Sequence, residues 1–465
     1  MIQISQLKLR PDHKKKDLKN RAVKLLKLPY EKVKTVTVYK RSIDARKKPD
    51  VYYIYTLLVE TVLSEAEEQK LVKKLKQSSI TMGVLPVYQF PPMGKEKLTE
   101  RPVVIGMGPA GLFCAYMLAK KGYKPIVIER GQAVEIRTAT VESYWNGGKL
   151  DPESNVQFGE GGAGTFSDGK LNSMVKDPDG RGREVLSIFC RHGAPEDIMY
   201  VNKPHIGTDV LRKVVSRMRN EIITLGGEVR FRTRVIGLYE TNGHLTGLKL
   251  LNHDGTRSVL STTVAVLAIG HSARDTFEML HDFGIRMEQK SFAVGFRIEH
   301  PQSMINYSQY AIENPKDLPV ADYKLTHRAE NGRGVYSFCM CPGGHVVNSS
   351  SEEERICVNG MSYRARDSKN ANSALIVTVT PEDYPGDDAL AGVRFQREIE
   401  HKAYLAGNGM IPSQLYGDFK ENKPSVAYGE VVPEHKGLTK LSNLRGILPS
   451  ELEDALVEGI EAFDR

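Results

Sequence analysis

The stretch VVIGMGPAGLFCAYMLAKKGYKPIVIERG, residues 103–131, decides the fold. It begins with three apolar residues and continues with Gly106, Gly108 and Gly111 at the spacing G-x-G-x-x-G. The residues after Gly111 place apolar side chains at helical spacing, and a second apolar run ends at Glu129. This order predicts a β-strand, an α-helix and a second strand parallel to the first.

Each part of this βαβ unit has a physical role in binding the diphosphate of a dinucleotide. Gly106 permits the tight turn, Gly108 lets the backbone approach the phosphates, and Gly111 allows the helix to pack closely on the strand. The amino terminus of the helix offers free N–H groups to the anion, and Glu129 is placed to accept hydrogen bonds from a ribose. Plain glycine turns show the same spacing, but here the strands, the helix and the acidic residue all agree.

Length and composition indicate a globular protein of several domains. The chain has 465 residues, 40% of them hydrophobic, and a formal net charge of +8. It contains no run of about 18 apolar residues, so we expect no membrane-spanning helix, and its amino terminus lacks the apolar core of a signal peptide. Its five cysteines are scattered and odd in number, which argues against a disulfide framework. These features predict a cytoplasmic protein with reduced thiols.

The basic charge is concentrated at the amino-terminal end. Residues 1–50 hold twelve lysines and four arginines against four aspartates and one glutamate, a net charge of +11. Strand and helix patterns follow one another here in the order β-α-β-β-α, which resembles a ferredoxin-like fold in element order. The proline-rich stretch VYQFPPMGKEKLTERP, residues 87–102, predicts a domain boundary near residue 98. Clustered charge is the footprint of nucleic-acid binding, although a solvated helix face explains it more simply.

A second glycine-rich stretch, FGEGGAGTFSDGKL at residues 158–171, is the other unusual feature of the chain. It holds five glycines, and each of them costs conformational entropy on folding. One interpretation is a flexible surface loop. The other is a segment whose backbone must approach a bound group closely.

The region after residue 207 supplies the elements that identify a family. Residues 208–225 predict a helix capped by Thr208 or Asp209, and a three-stranded meander with Asn-Gly and Asp-Gly turns leads into an apolar strand that stops at Gly270. Together with the βαβ unit, this order resembles the FAD-binding domain of glutathione-reductase-type flavoproteins. The motifs FGEGGAGTFSDGKL, PHIGTD, VGFRIEHPQ and CMCPGGHVVNSSSE resemble more closely an uncharacterised family of FAD-dependent dehydrogenases, described as NAD- or FAD-utilising, over nearly the whole chain.

The resemblance implies that the chain binds FAD, and it assigns residues to parts of that cofactor. Glu129 would hold the ribose, Val235 would offer its backbone to the adenine, and Gly270 would lie against the dinucleotide. Arg130 is a further expected cofactor-binding residue. The pyrophosphate would be surrounded by Gly106, Gly108, Pro109, Ala110 and Gly111.

The same resemblance gives the glycine-rich stretch a place beside the flavin. A flavin ring is flat and wide, so backbone passes near it only where side chains are absent, and backbone N–H groups in a glycine loop bind oxygen atoms. Lys170 would supply a cation for negative charge on the ring. The other candidate residues of the loop are Gly161, Gly162, Gly164, Thr165, Ser167 and Asp168.

The second half of the chain contains three candidate ligands in CMCPGGH, residues 339–345: Cys339, Cys341 and His345. A zinc site needs four ligands, commonly in two pairs, and a disulfide between Cys339 and Cys341 would close a strained ring. A cysteine in a strand is most often a small buried apolar residue. We predict no metal site and name no catalytic acid or base, although four residues lie near the family motifs: His205, His271, His345 and Arg297.

The predicted fold class is α/β, with a Rossmann-like FAD-binding domain carrying a β-meander, an inserted mixed α+β substrate domain and an amino-terminal ferredoxin-like α+β domain. The predicted domains are residues 1–97, 98–275 and 276–430, followed by a return toward the FAD domain over 431–465.

Flavoproteins of this type close with a glycine-rich turn into a helix that meets the ribityl and pyrophosphate groups. The end ELEDALVEGIEAFDR lacks that segment, so either the sequence is truncated or FAD is held without this last clamp. Truncation is the more expected of the two, and FAD would then not necessarily occupy the site.

The function predicted is an FAD-dependent oxidoreductase, a dehydrogenase or reductase, that transfers a hydride or electrons between the flavin and an unidentified organic substrate. No second G-x-G-x-x-G lies between a strand and a helix, so NAD(P)H is a possible reductant without a domain of its own. The alternative is a nucleic-acid-binding or RNA-modifying flavoprotein that uses the basic amino-terminal domain. Nucleic acid is the less expected partner, a small-molecule substrate the more expected one, and a membrane is not expected.

Overall fold

The computed structural model describes residues 1–171 and 175–464. Its helices are α1 Lys15–Leu26, α2 Glu65–Leu75, α3 Pro109–Lys120, α4 Val134–Trp145, α5 Arg181–Arg191, α6 Thr208–Thr224, α7 Arg274–Asp282, α8 Gln302–Tyr310, α9 Ala391–Gly407, α10 Tyr416–Lys420 and α11 Ser450–Phe463. Its strands are β1 Ile2–Leu9, β2 Val33–Asp44, β3 Tyr52–Thr61, β4 Ile80–Met82, β5 Val103–Ile105, β6 Ile126–Ile128, β7 Glu228–Arg230, β8 Arg234–Thr241, β9 His244–Leu251, β10 Arg257–Ser261, β11 Ala265–Leu267, β12 Phe292–Pro301, β13 Thr326–Arg328, β14 Gly334–Cys341, β15 His345–Asn348, β16 Val358–Met361, β17 Asn370–Val379, β18 Ile411–Ser413, β19 His435–Lys436 and β20 Thr439–Leu441. Within the described ranges, none of these helices is long and apolar enough to span a membrane.

The chain forms two compact units of mixed α/β structure. The first unit comprises residues 1–94, 170–206 and 303–321, and the second comprises residues 95–169, 207–302 and 322–465. The four segments expected from the sequence stay a prediction; two of them, 98–275 and 276–430, include residues 170–206 and 303–321, which belong to the first unit.

The first unit contains an antiparallel sheet with the strand order β2-β3-β1-β4. Its core is apolar: Ile2, Ile4 and Leu57 on the strands pack in one cluster with Ala22 and Leu26 of α1. The expected order β-α-β-β-α is present, and the short strand β4 pairs with β1 to complete it.

The second unit contains the parallel sheet predicted from the βαβ pattern, with the strand order β11-β5-β6-β7. Strands β5 and β6 are three residues each and fully buried. The first and last residue of each strand lie in one apolar cluster with side chains of the meander β8-β9-β10. Helix α3 connects β5 to β6, so the carboxyl end of β5 and the first turn of α3 lie at the same edge of the sheet.

A second sheet of the same unit has the order β12-β17-β14-β13. One of its faces is apolar and packs against α9 and α11 through residues such as Val377 and Leu456. Side chains two residues apart on a strand share a face, so Arg297 and Glu299 of β12 lie on the opposite, polar face. The small sheet β16-β15-β19 also belongs to this unit.

The start of α6 corrects one expectation from the sequence. Gly207, and neither Thr208 nor Asp209, is the N-cap residue. Gly207 has φ +84°, and a Cβ there would lie 2.4 Å from the Arg364 backbone nitrogen, so only glycine fits. The expected capping side chains bind elsewhere: Thr208 donates to the Thr165 carbonyl, and Asp209 accepts from the Arg364 N–H.

We predict that truncating α11 in the apolar core destabilises the second unit. Leu456 is 1% exposed, so Leu456→Ala removes buried methyl groups and leaves a cavity. The free energy of unfolding in urea should fall by about 2–5 kcal/mol. The matched variant Leu405→Ala, on the exposed face of α9, should change it by less than about 0.5 kcal/mol. Equal effects of the two variants would contradict the packing of α11.

Candidate functional site

The crossing from β5 to α3 depends on two glycines. Gly106 has φ +96°, and a Cβ there would lie 2.4 Å from the Ala268 carbonyl oxygen, just beyond β11. A Cβ at Gly111 would lie 1.9 Å from the Gly106 carbonyl oxygen. Strand β5, helix α3 and the end of β11 therefore meet backbone to backbone, as the G-x-G-x-x-G pattern requires.

The first turn of α3 is open to solvent. Gly108 is the N-cap, with extended backbone at φ −69° and ψ −176°, and Pro109 occupies the first helical position. Both Pro109 and Ala110 are exposed. The N–H groups of a first turn have no carbonyl partner within the helix, and the helix dipole is positive there. Because glycine backbone lines this crossing, it fits a pyrophosphate group.

The glycine-rich loop packs directly against this crossing. The Gly161 N–H donates to the Met107 carbonyl at 2.8 Å. A Cβ at Gly162 would lie 3.0 Å from Gly108 Cα, so a side chain there would press on the helix start. The loop forms a 3₁₀ turn over Gly162–Phe166, and its backbone rather than its side chains faces α3.

The carboxylate of Glu129, just after β6, ties the crossing to the loop. It is 4% exposed and accepts three backbone N–H groups: Met107 at 2.7 Å on Oε2, and Gly131 at 2.8 Å and Gly159 at 3.0 Å on Oε1. An ionised carboxylate has about four acceptor positions. One position on Oε2 is therefore left for a ribose hydroxyl, the partner expected from the sequence.

Arg130 lies in an ion cluster rather than on a free surface. Its guanidinium donates to both carboxylate oxygens of Glu153 at 3.0 Å and to those of Asp275 at 2.8 and 3.0 Å. Arg234 shares the same two carboxylates, and the Arg130 guanidinium stacks 4.3 Å above the Phe158 ring. The carboxylates of Glu153 and Asp275 therefore already compensate the charge of Arg130. With a cofactor, the Arg130 side chain is limited to packing or stacking contacts.

The polar residues of the loop bind within the protein. Thr165 is fully buried and donates to the Glu160 carbonyl at 3.1 Å, and Ser167 donates to the Gly164 carbonyl at 2.8 Å. The buried Asp168 carboxylate pairs with Arg366, whose Nε donates at 3.0 Å. These three side chains hold the loop in shape. Lys170 belongs to the first unit, where it forms a β-bridge with His205.

Val235 and Gly270 both lie in the second unit, Val235 on strand β8 of the meander and Gly270 three residues after β11 of the parallel sheet. The Val235 side chain is buried in the core shared by β5, β6 and the meander, so only its backbone is available to an adenine. Gly270 follows β11 with φ +72° in open space. Their proposed contacts with a dinucleotide stay predictions.

Sequence reasoning missed two buried ionisable residues beside the loop, Arg137 and Glu160. Arg137 is fully buried and donates to the carbonyls of Asn155, Val156 and Glu160 at 2.6–2.8 Å. The Glu160 carboxylate accepts from the Val134 N–H at 2.8 Å and from Arg219 at 2.7 Å. The sequence Gly-Glu-Gly could have indicated the burial of Glu160. A charged side chain between glycines of a closely packed loop has little room to reach solvent.

Burial controls the protonation of both residues. It lowers the pKa of Arg137 to about 9, because the charged form has lost its water. It raises the pKa of Glu160 to about 7, and hydrogen bonds from Val134 and Arg219 only partly oppose this shift. Among the described residues, Glu160 Oε1 has no hydrogen-bond partner, which agrees with a carboxyl group that binds a proton near neutrality.

The cysteine motif of the second half splits between surface and core. Cys339 is exposed, with φ +44°, whereas Cys341 is 2% exposed and donates from Sγ to the Cys339 carbonyl at 3.2 Å. His345 lies on β15 and contacts the Glu434 carbonyl through Nδ1 at 3.1 Å. Within residues 1–171 and 175–464, no group of three or more His, Cys, Asp or Glu side chains is arranged to hold a metal ion.

Comparison with known families covers three parts of the chain. A family described as an FAD binding domain matches residues 101–151, and one described as an FAD-dependent protein, C-terminal domain-like, matches residues 291–465. A domain of unknown function matches residues 1–60. An uncharacterised protein of Clostridium beijerinckii is 45% identical over 468 residues, which cover the whole of this chain and 86% of that protein.

Solved structures give weaker likenesses. The THI4 protein of Thermovibrio ammonificans matches with a TM-score of 0.29 and 19% identity, over 41% of this chain and 67% of its own. A glycerol-3-phosphate dehydrogenase from Bacillus halodurans, complexed with FAD, matches with a TM-score of 0.28 and 12% identity, over 60% of this chain and 47% of its own. A flavoprotein/dehydrogenase from Cytophaga hutchinsonii matches with a TM-score of 0.31 and 12% identity, over 61% of this chain and 57% of its own. At these values the likeness carries no weight for activity.

We predict that Glu160 makes the protein less stable as the pH rises through neutrality. Its folded pKa of about 7 lies above the unfolded value of 4.5, so the folded chain holds a proton that the unfolded chain releases. The free energy of unfolding should therefore fall between about pH 4.5 and 7, by roughly 3 kcal/mol from this group. Urea titrations at pH 5 and pH 7.5 measure this fall. The free energy of unfolding should fall less between the two pH values in Glu160→Gln than in the natural sequence.

The control for this experiment is Glu135→Gln, the other carboxylate that pairs with Arg219. Arg219 lowers the pKa of Glu135 to about 2, so this group stays ionised at both pH values. Because burial is the largest cause of the raised pKa of Glu160, Glu135→Gln should keep most of the pH dependence that Glu160→Gln removes. The assignment fails if Glu160→Gln keeps the full pH dependence of the natural sequence.

Proposed function

We propose, from the premise that the chain belongs to the same family as the uncharacterised Clostridium beijerinckii protein, that it is an FAD-dependent oxidoreductase. The matches to an FAD binding domain and to an FAD-dependent carboxyl-terminal domain support a flavoprotein. In the finer assignment, residues 98–275 form the FAD-binding domain and residues 276–430 the substrate domain.

The observation that carries the proposal is the open amino terminus of α3 between two glycine-lined segments. The N–H groups of its first turn, near Ala110 and Gly111, would bind the pyrophosphate, while Gly108 and Gly162 leave room for it. The remaining acceptor of Glu129 would take a ribose hydroxyl. A 2′-phosphate would be repelled by this carboxylate, so the site favours FAD over a phosphorylated dinucleotide.

When bound, FAD would supply hydride or electron-pair transfer through its ring system. The chain would contribute orientation, and the glycine-rich loop would shield the ring from water with backbone alone. Its shape is fixed by bonds from Thr165, Ser167 and Asp168 to their neighbours, so these residues act as positioning residues.

His345 is the side chain that we assign to proton transfer with the substrate. A ring nitrogen beside a carbonyl oxygen must carry the proton, so the contact of Nδ1 with the Glu434 carbonyl leaves Nε2 as an acceptor. Burial lowers the pKa of His345, which keeps the ring neutral near pH 7. Its ring also packs edge-on against Tyr363, a neighbour of the cluster around Phe166 in the loop.

NAD(P)H is the first electron donor to test.

The test is FAD binding by the full chain and by one glycine variant. The natural sequence should take up FAD and show the visible absorption of oxidised flavin. Gly108→Ala should weaken FAD binding at least tenfold, about 1.4 kcal/mol, because the methyl group stands at the phosphate position. That Cβ meets nothing nearer than Gly162 Cα at 3.9 Å, so the variant should fold normally.

The matched control is Gly417→Ala in α10, where a Cβ meets nothing within 4 Å. It should leave both FAD affinity and thermal stability unchanged. A folded protein that ignores added FAD, or equal affinity in the two alanine variants, would contradict the proposed site.

A further inference from the structure

Arg297, on the polar face of β12, is a half-buried guanidinium surrounded by neutral groups. Its Nε donates to Asn372 Oδ1 at 2.9 Å, and its Nη2 donates to the Cys339 carbonyl at 3.0 Å. The Cys341 sulfur lies 3.7 Å from the same nitrogen. Arg297 thus lies in the family motif VGFRIEHPQ and touches the family motif CMCPGGH.

The charge of Arg297 has no counterion within the described chain. No carboxylate of residues 1–171 or 175–464 lies within the 4 Å of a salt bridge, although charges removed from water are normally paired. Three other arginines of the same unit have carboxylate partners at 2.6–3.0 Å: Arg130, Arg219 and Arg274. The fully buried Arg137 instead donates to three backbone carbonyls, whereas Arg297 donates to one carbonyl and one amide oxygen.

Glu299, the acid two residues from Arg297 on the same face of β12, is bound to other partners. Its Oε1 accepts from the Glu434 N–H at 2.6 Å and from Asn370 at 2.8 Å, and its Oε2 lies 3.1 Å from His435 Nε2. Moving it to Arg297 would break all three contacts. Glu299 therefore does not serve as the counterion of Arg297, and an anion from outside the described chain can take that place.

The surroundings of Arg297 hold a second unused donor. Asn372 is fully buried, and among the described residues its Nδ2 has no hydrogen-bond partner. A Cβ at Gly360 would lie 2.2 Å from Arg297 Nη2 and 2.4 Å from Asn372 Oδ1, so glycine is needed to bring both side chains under β16. A buried amide donor without an acceptor is unfavourable unless a ligand or water satisfies it.

The place is reachable and is linked to the glycine-rich loop. Cys339 is exposed, and the adjacent Phe338 is 57% exposed, so the chain opens to solvent beside Arg297. Two residues beyond Cys341, the backbone of Gly343 packs against Arg366, which pairs with Asp168 at the end of the loop.

We propose that Arg297 and Asn372 form a binding site for a carboxylate group, and that the substrate is an organic acid. One guanidinium with one amide donor matches the single charge of a carboxylate better than a phosphate dianion, which usually collects several cations. The assignment as a substrate site rests on the proposed function. The binding site itself does not.

The experiment measures binding of acetate to the full chain by saturation-transfer NMR, with and without FAD, at constant ionic strength. Arg297→Gln removes the charge and should weaken acetate binding at least tenfold. Asn372→Asp places a carboxylate beside Arg297 and should weaken it as much, by supplying the missing counterion within the chain. The matched control, Arg286→Gln at an exposed arginine, should bind acetate like the natural sequence.

The outcomes separate this inference from the proposed function. Loss of acetate binding in both variants, with unchanged FAD affinity and thermal stability, supports the site. Acetate binding that survives in either folded variant overturns it, and so does inorganic phosphate that binds more tightly than acetate at the same residues. If the protein binds acetate through Arg297 but takes up no FAD, the carboxylate site stands and the oxidoreductase proposal fails.

Discussion

The second unit depends on one buried carboxylate, that of Glu129. Hydrogen bonds to a charged group contribute about 1.5–3 kcal/mol each, and this group accepts three of them, from Met107, Gly131 and Gly159. Met107 belongs to the turn before α3 and Gly159 to the glycine-rich loop. The negative charge thus holds two separate stretches of backbone together, and the proposed dinucleotide site lies where they meet.

A second layer of side chains keeps that loop from collapsing. The Phe166 ring lies between the guanidinium groups of Arg137, at 4.9 Å, and Arg212, at 4.7 Å, and meets Trp145 edge-on at 5.8 Å. Aromatic faces attract cations, so the ring gives two arginines a neutral partner. The glycines allow the loop backbone to approach α3 closely. The contacts around Phe166 restrict the motion of the loop, which glycine residues alone would not do.

The sequence predicted the features that are local and missed those that depend on distant packing. The strand, turn and helix around Gly106 and Gly111 follow from spacing alone, and the mixed α/β fold is confirmed. The cap at Thr208 was wrong because Arg364, far along the chain, crowds Gly207. The protonation of Glu160 was equally out of reach, since its burial depends on α4 and α6 closing over it. The roles of the candidate site residues toward FAD stay predictions.

The order of the parallel sheet has a consequence for biosynthesis. Strands β5 and β6 leave the ribosome early, but their outer neighbours, β11 and β7, are residues 265–267 and 228–230. Until those have been made, both edges of an apolar strand pair lack partners, and unpaired strand edges invite aggregation. The sheet that carries the β5–α3 crossing is therefore complete only after residue 267 has been synthesised.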